Sequence, residues 1–561
     1  MSPDSELPTP AQSGITTAST ATDGQASLYS TSSPPETSAQ IAGHLLQQCR
    51  NLLAEVDALQ GLLAQRLRNP QLVEVRQFRS NVTAELRMLE KLEQQVRDAS
   101  GDNGSRDSDG GGGGGDDASE QAQQTPEVEM RLLHALRSSN LPFYQAVWKI
   151  ARGSCTGLIA LGKRFYWDGE TKRSERAAVE GRGKKQPNKD KRKSVFVDII
   201  ADDGEEWVKV STISESRLLF EMAKKGWERE SDEDEGTGSE GEGGRTILQN
   251  FDGDGEDSDE DDELELIKLA RDLKRAADAT RVRYRHPRLR VVIPKIEEGN
   301  VPEIDDILRE MRSYGIKIEC QESLSGDPTT ANLARLLPQP FKRFTPTLNV
   351  DCTLLLAIVS DLSHVKDMPP LPNFHKAILR QIEVEKQQPL LSTELWPAMG
   401  EHNLICTKEA ATRMCDIVET IGTATEKTRT QIMMGDAPYD HCDHNTLIQK
   451  FQELSEHPVP TGWKIPIRVV EAQSVIDAAK AQDKLPSVAD EIAKGLSDIN
   501  HSVFMYGWVT GLMTVSSNRT IDRQIEATIE KNRQGNNDLE GPLVWICDTA
   551  RSLAGKDKDR R

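Results

Sequence analysis

The chain has 561 residues, a formal net charge of −20 and an apolar fraction of 36%. The charge argues against a general binder of nucleic acid or membrane surfaces, because a phosphate backbone repels it. The apolar fraction falls below the ~45–50% of globular chains and predicts that part of the chain stays unfolded. No apolar run reaches the ~18 residues that span a bilayer. The opening MSPDSELPTPAQSG lacks an apolar leader, and the eight cysteines form no CxxC pair. Scattered reduced cysteines predict a soluble protein of the cytoplasm and/or nucleus with no membrane partner.

Residues 1–39, rich in Ser, Thr, Pro and Ala, bury too little surface to offset their ordering entropy and are expected to be a disordered tail. Over 40–100, Leu45, Leu52, Val56, Leu59 and Leu63 recur at helical spacing, as do Leu86, Leu89, Leu92 and Val96. Asn69-Pro70 breaks the two runs, so a helical hairpin follows, whose apolar stripe needs a partner surface. A protein partner for these helices is one way to supply it. A Gly/Asp-rich linker fills 101–125.

An α/β region is expected over 126–325. Helical periodicity returns in VEMRLLHALRSSNLPFYQAVWKIAR, and SVFVDIIADDGEEWVKV reads as two strands around the hairpin signal Asp203-Gly204. ESRLLFEMAKKGWE and LELIKLARDLKRAADA read as helices, RLRVVIP as a strand, VPEIDDILREMRSYG as a helix closed by Gly315, and IKIEC as a strand. Such alternation implies a parallel sheet. Two charged, disordered insertions interrupt it near 166–193 and 228–263; the first carries the basic KKQPNKDKRK, the second is acidic and Gly-rich. Solvated surface loops account for both, and the basic tract also fits nuclear import or a nucleic-acid contact.

A second α/β unit is expected over 340–561. In LNVD, ending at Asp351, and in LICTKEAATRM, with Glu409, a short apolar strand meets an acid and then a helix. LMTVSSNRTIDRQIE repeats the design with Asn518 and Asp522, four apart on one helix face. Parallel neighbouring strands would bring these groups together at their carboxyl ends. Clustered carboxylates repel, which calls for Mg2+ or Mn2+ held by Asp351, Glu409 and Asp522. The plainer reading makes Asp351 and Asn518 helix caps and Glu409 a first-turn acid. YDHCDHN offers His441, Cys442, Asp443 and His444 but no second ligand pair for zinc. HSVFMYGW is read as a strand with His501 at its head.

The strand–acid–helix pattern resembles the PIN-like nuclease fold, which Asp351 and Glu409 match residue for residue, whereas Asn518 stands where that pattern has an aspartate. The paired helices over 41–100, SVFVDIIADDGEEWVKV, SYGIKIEC, LNVDCTLLLAIVSDLS and PLVWICDTARSLAG also look like the eukaryotic family of domain of unknown function 1308. That resemblance implies a C-terminal three-layer α/β/α domain of PIN-like type. It implies either a degenerate module that binds RNA or a protein partner, or a divalent-metal-dependent ribonuclease. In the latter, Asp351, Glu409, Asn518 and Asp522 would carry catalysis, the ions activating water and steadying the leaving oxygen.

Overall fold

The computed structural model describes residues 37–67, 70–99, 126–167, 193–225, 263–321, 333–370, 374–547 and 551–557. The tail (except 37–39), the 101–125 linker and nearly all of both insertions lie outside the described residues. The exceptions are corrections of boundary: helix α1 (Ser38–Arg66) already includes Ser38, and strands occupy both ends of the basic insertion.

Contacts divide the chain into one unit from 1–44 and 91–138 and another from 45–90 and 139–561. The first holds the opening turns of α1, the end of α2 (Arg76–Ala99) and α3 (Pro126–Arg137). There Ser38 donates from its backbone N–H and its hydroxyl to the Glu129 carboxylate, at 2.9 and 2.7 Å.

In the second unit, the remainders of α1 and α2 run antiparallel, as the pairs Arg50–Glu90 and Arg79–Asp57 require. Leu52, Val56, Leu59 and Leu63 are buried within the chain itself. Part of their cover is α4 (Leu141–Ser154), whose Trp148 and Arg152 both reach Glu55. The hairpin loop also joins the sheet, since Glu74 exchanges backbone hydrogen bonds with Ile159 and Leu161.

The first sheet has the order β1-β2-β3-β4-β5. Its strands are β1 (Ala160–Trp167), β2 (Lys193–Ala201), β3 (Glu206–Val210), β4 (Arg288–Val292) and β5 (Ile316–Glu319). The Asp-Gly signal is a tight hairpin turn with Asp202, Asp203 and Gly204 all at positive φ. From β3 onward the pairing is parallel. The crossovers are α5 (Glu215–Lys224) with α6 (Glu265–Asp278), and α7 (Pro302–Ser313). Lys225, which precedes the acidic insertion, donates to the carbonyl of Glu263 at its far end.

The second sheet is wholly parallel, ordered β10-β9-β6-β7-β8. From β6 (Thr347–Val350) the chain passes through α8 (Cys352–Val359), α9 (Asp361–His364), α10 (Lys376–Gln387) and α11 (Trp396–Met399) to β7 (Asn403–Thr407). Then come α12 (Lys408–Ile421), α13 (Ala424–Met434), α14 (His444–Glu453) and β8 (Arg468–Val470). The path returns through α15 (Ala472–Ala481), α16 (Val488–Lys494) and α17 (Asp498–Thr510) to β9 (Met513–Ser516). It ends through α18 (Arg519–Asn532) and β10 (Val544–Ile546).

Helices α8 and α12 pack together and against the sheet, while α17 packs along β6, β7 and β9. Buried Asn349 of β6 donates to the Val503 carbonyl of α17 and to Thr514 Oγ1 of β9. Gly507 lets α17 lie this close, since a Cβ there would run into Thr514 Oγ1. The expected strand HSVFMYGW is therefore a correction: it is the body of α17. Ser502 through Gly507 are all buried, and a helix covered on every side has no polar face to betray its period.

Candidate functional site

Two strand runs leave β6 in opposite directions, β7 and β8 on one side, β9 and β10 on the other. In an open parallel sheet such a reversal opens a crevice at the strands' carboxyl ends, where ligands bind. β6 and β9 flank that point, and their last residues hand over to Asp351 and to Ser516-Ser517-Asn518.

Asp351 sits at the N-cap position of α8 with extended backbone (φ −74°, ψ 151°), yet its side chain makes no cap hydrogen bond. It is 2% exposed. Its Oδ2 instead accepts from Ser516 Oγ at 2.6 Å and from Thr353 Oγ1 at 2.7 Å. Each hydroxyl accepts in turn from the loop after β9: Asn518 N–H reaches Ser516 Oγ, and Ser517 N–H reaches Thr353 Oγ1. Burial pushes the Asp351 carboxyl above its ordinary pKa, and the two hydroxyl bonds pull it partway back. The carboxylate thereby ties β6, α8 and β9 into one corner.

Asn518 caps α18, its side-chain oxygen accepting from Ile521 N–H at 3.3 Å. Asp522, one turn on, is half-buried, and burial followed by the neighbouring Glu526 carboxylate raises its pKa to about 6. Both carboxylates act on the half-buried Tyr284, so this end of α18 also faces the turn before β4. Glu409 lies in the first turn of α12, behind the capping residue Thr407, whose hydroxyl meets Ser502 at 3.0 Å. Its Oε2 is shielded from solvent with no hydrogen-bond partner. His501 stands in α17, its pKa lowered by burial and by Lys480, with Glu409 among the acids opposing the shift.

Among the described residues, no three His, Cys, Asp or Glu side chains stand together as a metal-binding group. Asp351 Oδ2 is engaged by two hydroxyls and the Asn518 oxygen by a backbone amide. A shared divalent ion favours several hard oxygens at once, and two of the candidate oxygens are already engaged within the fold. In YDHCDHN, Asp443 caps α14 and His444 bonds the Trp463 carbonyl, so both side chains serve the fold. Sequence reading missed Ser516 and Thr353. The strand-ending SS before Asn518 was the available signal, since hydroxyls that follow a strand can reach a neighbouring strand's acid.

Residues 348–454, from β6 to just past α14, match the family model described as Protein of unknown function (DUF1308). This stretch is a DUF1308 domain. It includes Asp351 and Glu409, while Ser516, Asn518 and Asp522 follow it in the chain. No curated protein and no solved structure matches the chain. Among the described residues, within the DUF1308 stretch and outside it, no helix is long and apolar enough to cross a membrane.

Proposed function

We propose that the C-terminal α/β unit is a degenerate PIN-like module that binds RNA at the β6/β9 crevice without cutting it. The observation that carries this reading is the engagement of Asp351: its Oδ2 accepts from both Ser516 and Thr353 and so ties the crevice floor together. Helices α8, α12 and α18 all begin at the strands' carboxyl edge. Their N-terminal dipoles favour anionic groups such as phosphates. Arg519 and Arg523 lie in the first two turns of α18 and add positive charge there, whereas Lys408 at the start of α12 is paired with Glu471. Eight thiols without a disulfide among the described cysteines accord with a cytoplasmic or nuclear setting.

The second reading, a divalent-metal-dependent ribonuclease, is favoured by the orphaned Glu409 Oε2, which a cation would satisfy. Fluorescence anisotropy with labelled single-stranded RNA separates the two. Binding is expected to be the same with Mn2+ or with a chelator, and the RNA is expected to stay intact. Arg519→Glu with Arg523→Glu should raise the Kd roughly tenfold, as lost phosphate contacts do. Mn2+-dependent cleavage by the wild type, lost in Asp351→Asn and enhanced in Asn518→Asp, would replace the binding reading with the ribonuclease.

A further inference from the structure

We propose that the exposed face at the open end of the β1–β2 ladder is a second site, a stacking platform for single-stranded RNA. It lies on the first sheet and shares no residue with the β6/β9 crevice.

Along this end of the ladder, one face packs into the core and the opposite, exposed face carries aromatic rings. Trp167, Val195 and Val197 point into the core, yet Tyr166 is 58% and Phe196 is 37% exposed. Arg164 lies directly opposite Phe196, and Tyr166 directly opposite Ser194. Tyr166 and Phe196 are thus diagonal neighbours on one face, a separation of roughly 7–8 Å between adjacent antiparallel strands. Aromatic rings presented this way on a sheet are what splayed bases stack upon.

The exposed cation beside these rings, Arg164, suits a polyanion; its Cζ stands 5.9 Å from the Phe196 ring centroid. Lys209 Nζ lies 5.6 Å from the same centroid, but its charge is paired with the buried Asp198 carboxylate. Arg164 also donates to Ser194 Oγ at 3.2 Å. A guanidinium held against a ring is itself a plane on which a base can stack. Phe196 is fixed beneath: it covers Gly162 (φ +85°), where a Cβ would collide with the ring. A ring already held in place gives up little entropy on binding. The chain that enters β2 carries six basic residues and one acidic residue between Lys184 and Lys193.

The test uses the full chain and two labelled probes of equal length, an oligouridylate and its abasic counterpart. The platform requires the oligouridylate to bind at least about tenfold tighter than the abasic strand, since stacking is worth a substantial factor per base. Tyr166→Ala and Phe196→Leu should each weaken oligouridylate binding about fivefold or more and leave abasic binding unchanged. Tyr166→Ala removes an exposed side chain, so its thermal midpoint should match the wild type, which separates lost stacking from lost fold. Arg519→Glu with Arg523→Glu, which tests the crevice, should leave the base-dependent difference in place. Equal affinity for both probes, wild-type behaviour of Tyr166→Ala, or competition by polyglutamate as strong as by oligouridylate would each overturn the platform.

Discussion

Asp351 does at residue scale what a cap is not needed to do. An N-cap side chain satisfies a helix amide, whereas this one accepts from two hydroxyls, one of them 165 residues away in the chain. Asp351→Ala would strand both hydroxyls, and hydrogen bonds to a charged acceptor contribute about 1.5–3 kcal/mol each. Asp351→Ala is therefore expected to destabilise by about 3 kcal/mol or more, whereas Asp351→Asn, which keeps an oxygen acceptor, should cost under about 1.5 kcal/mol. Urea denaturation midpoints of the two variants check this, and equal losses would mean that packing alone matters at this position. The aspartate itself was legible in the sequence, because an acid between a β-prone run and an apolar helix is rare punctuation. Its partner was not. Ser516 is an ordinary hydroxyl until the parallel pairing of β6 with β9 places it against Asp351, and no local pattern encodes that pairing.

At the scale of elements, the approach of α17 to the second sheet depends on Gly507. Helix interiors normally favour Ala over Gly by about 1 kcal/mol, so Gly507→Ala would stabilise α17 if space allowed. A Cβ there meets Thr514 Oγ1 and lies 3.4 Å from Asn349 Nδ2. Overpacking of this kind costs about 1–3 kcal/mol. Net destabilisation of up to about 2 kcal/mol is expected, and Thr514→Ala in the same chain should recover part of it, because the clash is with that hydroxyl. Additive effects in the double-mutant cycle would refute the contact. Elements with a solvated face were legible: α6, α7 and α12 alternate buried and exposed residues at the helical period, and the β2–β3 hairpin was marked by its Asp-Gly turn. Two others show why some were not. Helix α17 is covered on all sides and reads as a strand-like apolar run. Strand β1 is masked by Lys163 and Arg164, charges that suit a loop as well as an exposed ladder.

Across the whole molecule, a buried histidine and a half-buried aspartate oppose each other as pH falls. His364 is fully buried; its Nε2 donates to the Ile358 carbonyl at 2.6 Å and its Nδ1 meets Ser455 Oγ at 2.8 Å. Burial, with Arg429 close by, holds its pKa well below 6.5. The unfolded chain therefore takes a proton near pH 6.5 that the folded chain refuses, so stability is lost as pH falls below that value. Asp522 has the reverse sign. Its pKa is raised from 3.8 to about 6, so between those values the folded chain holds a proton that the unfolded chain releases. Its burden on stability appears as pH rises through that window and is relieved on acidification. Asp522→Asn removes this burden. Each pH unit between the two pKa values is worth about 1.4 kcal/mol, less some screening by the solvent that still reaches the carboxylate. The variant should therefore exceed the wild type by on the order of 2 kcal/mol at pH 7–8, and the gain should vanish near pH 4. With the relief gone, the loss below pH 6.5 should steepen, because His364 and the other native acids are common to both chains. Unfolding free energies from urea titrations at pH 8, 6 and 4 check the pair. Parallel curves for the two proteins would place Asp522 in ordinary solvent and remove the tension between the two sites.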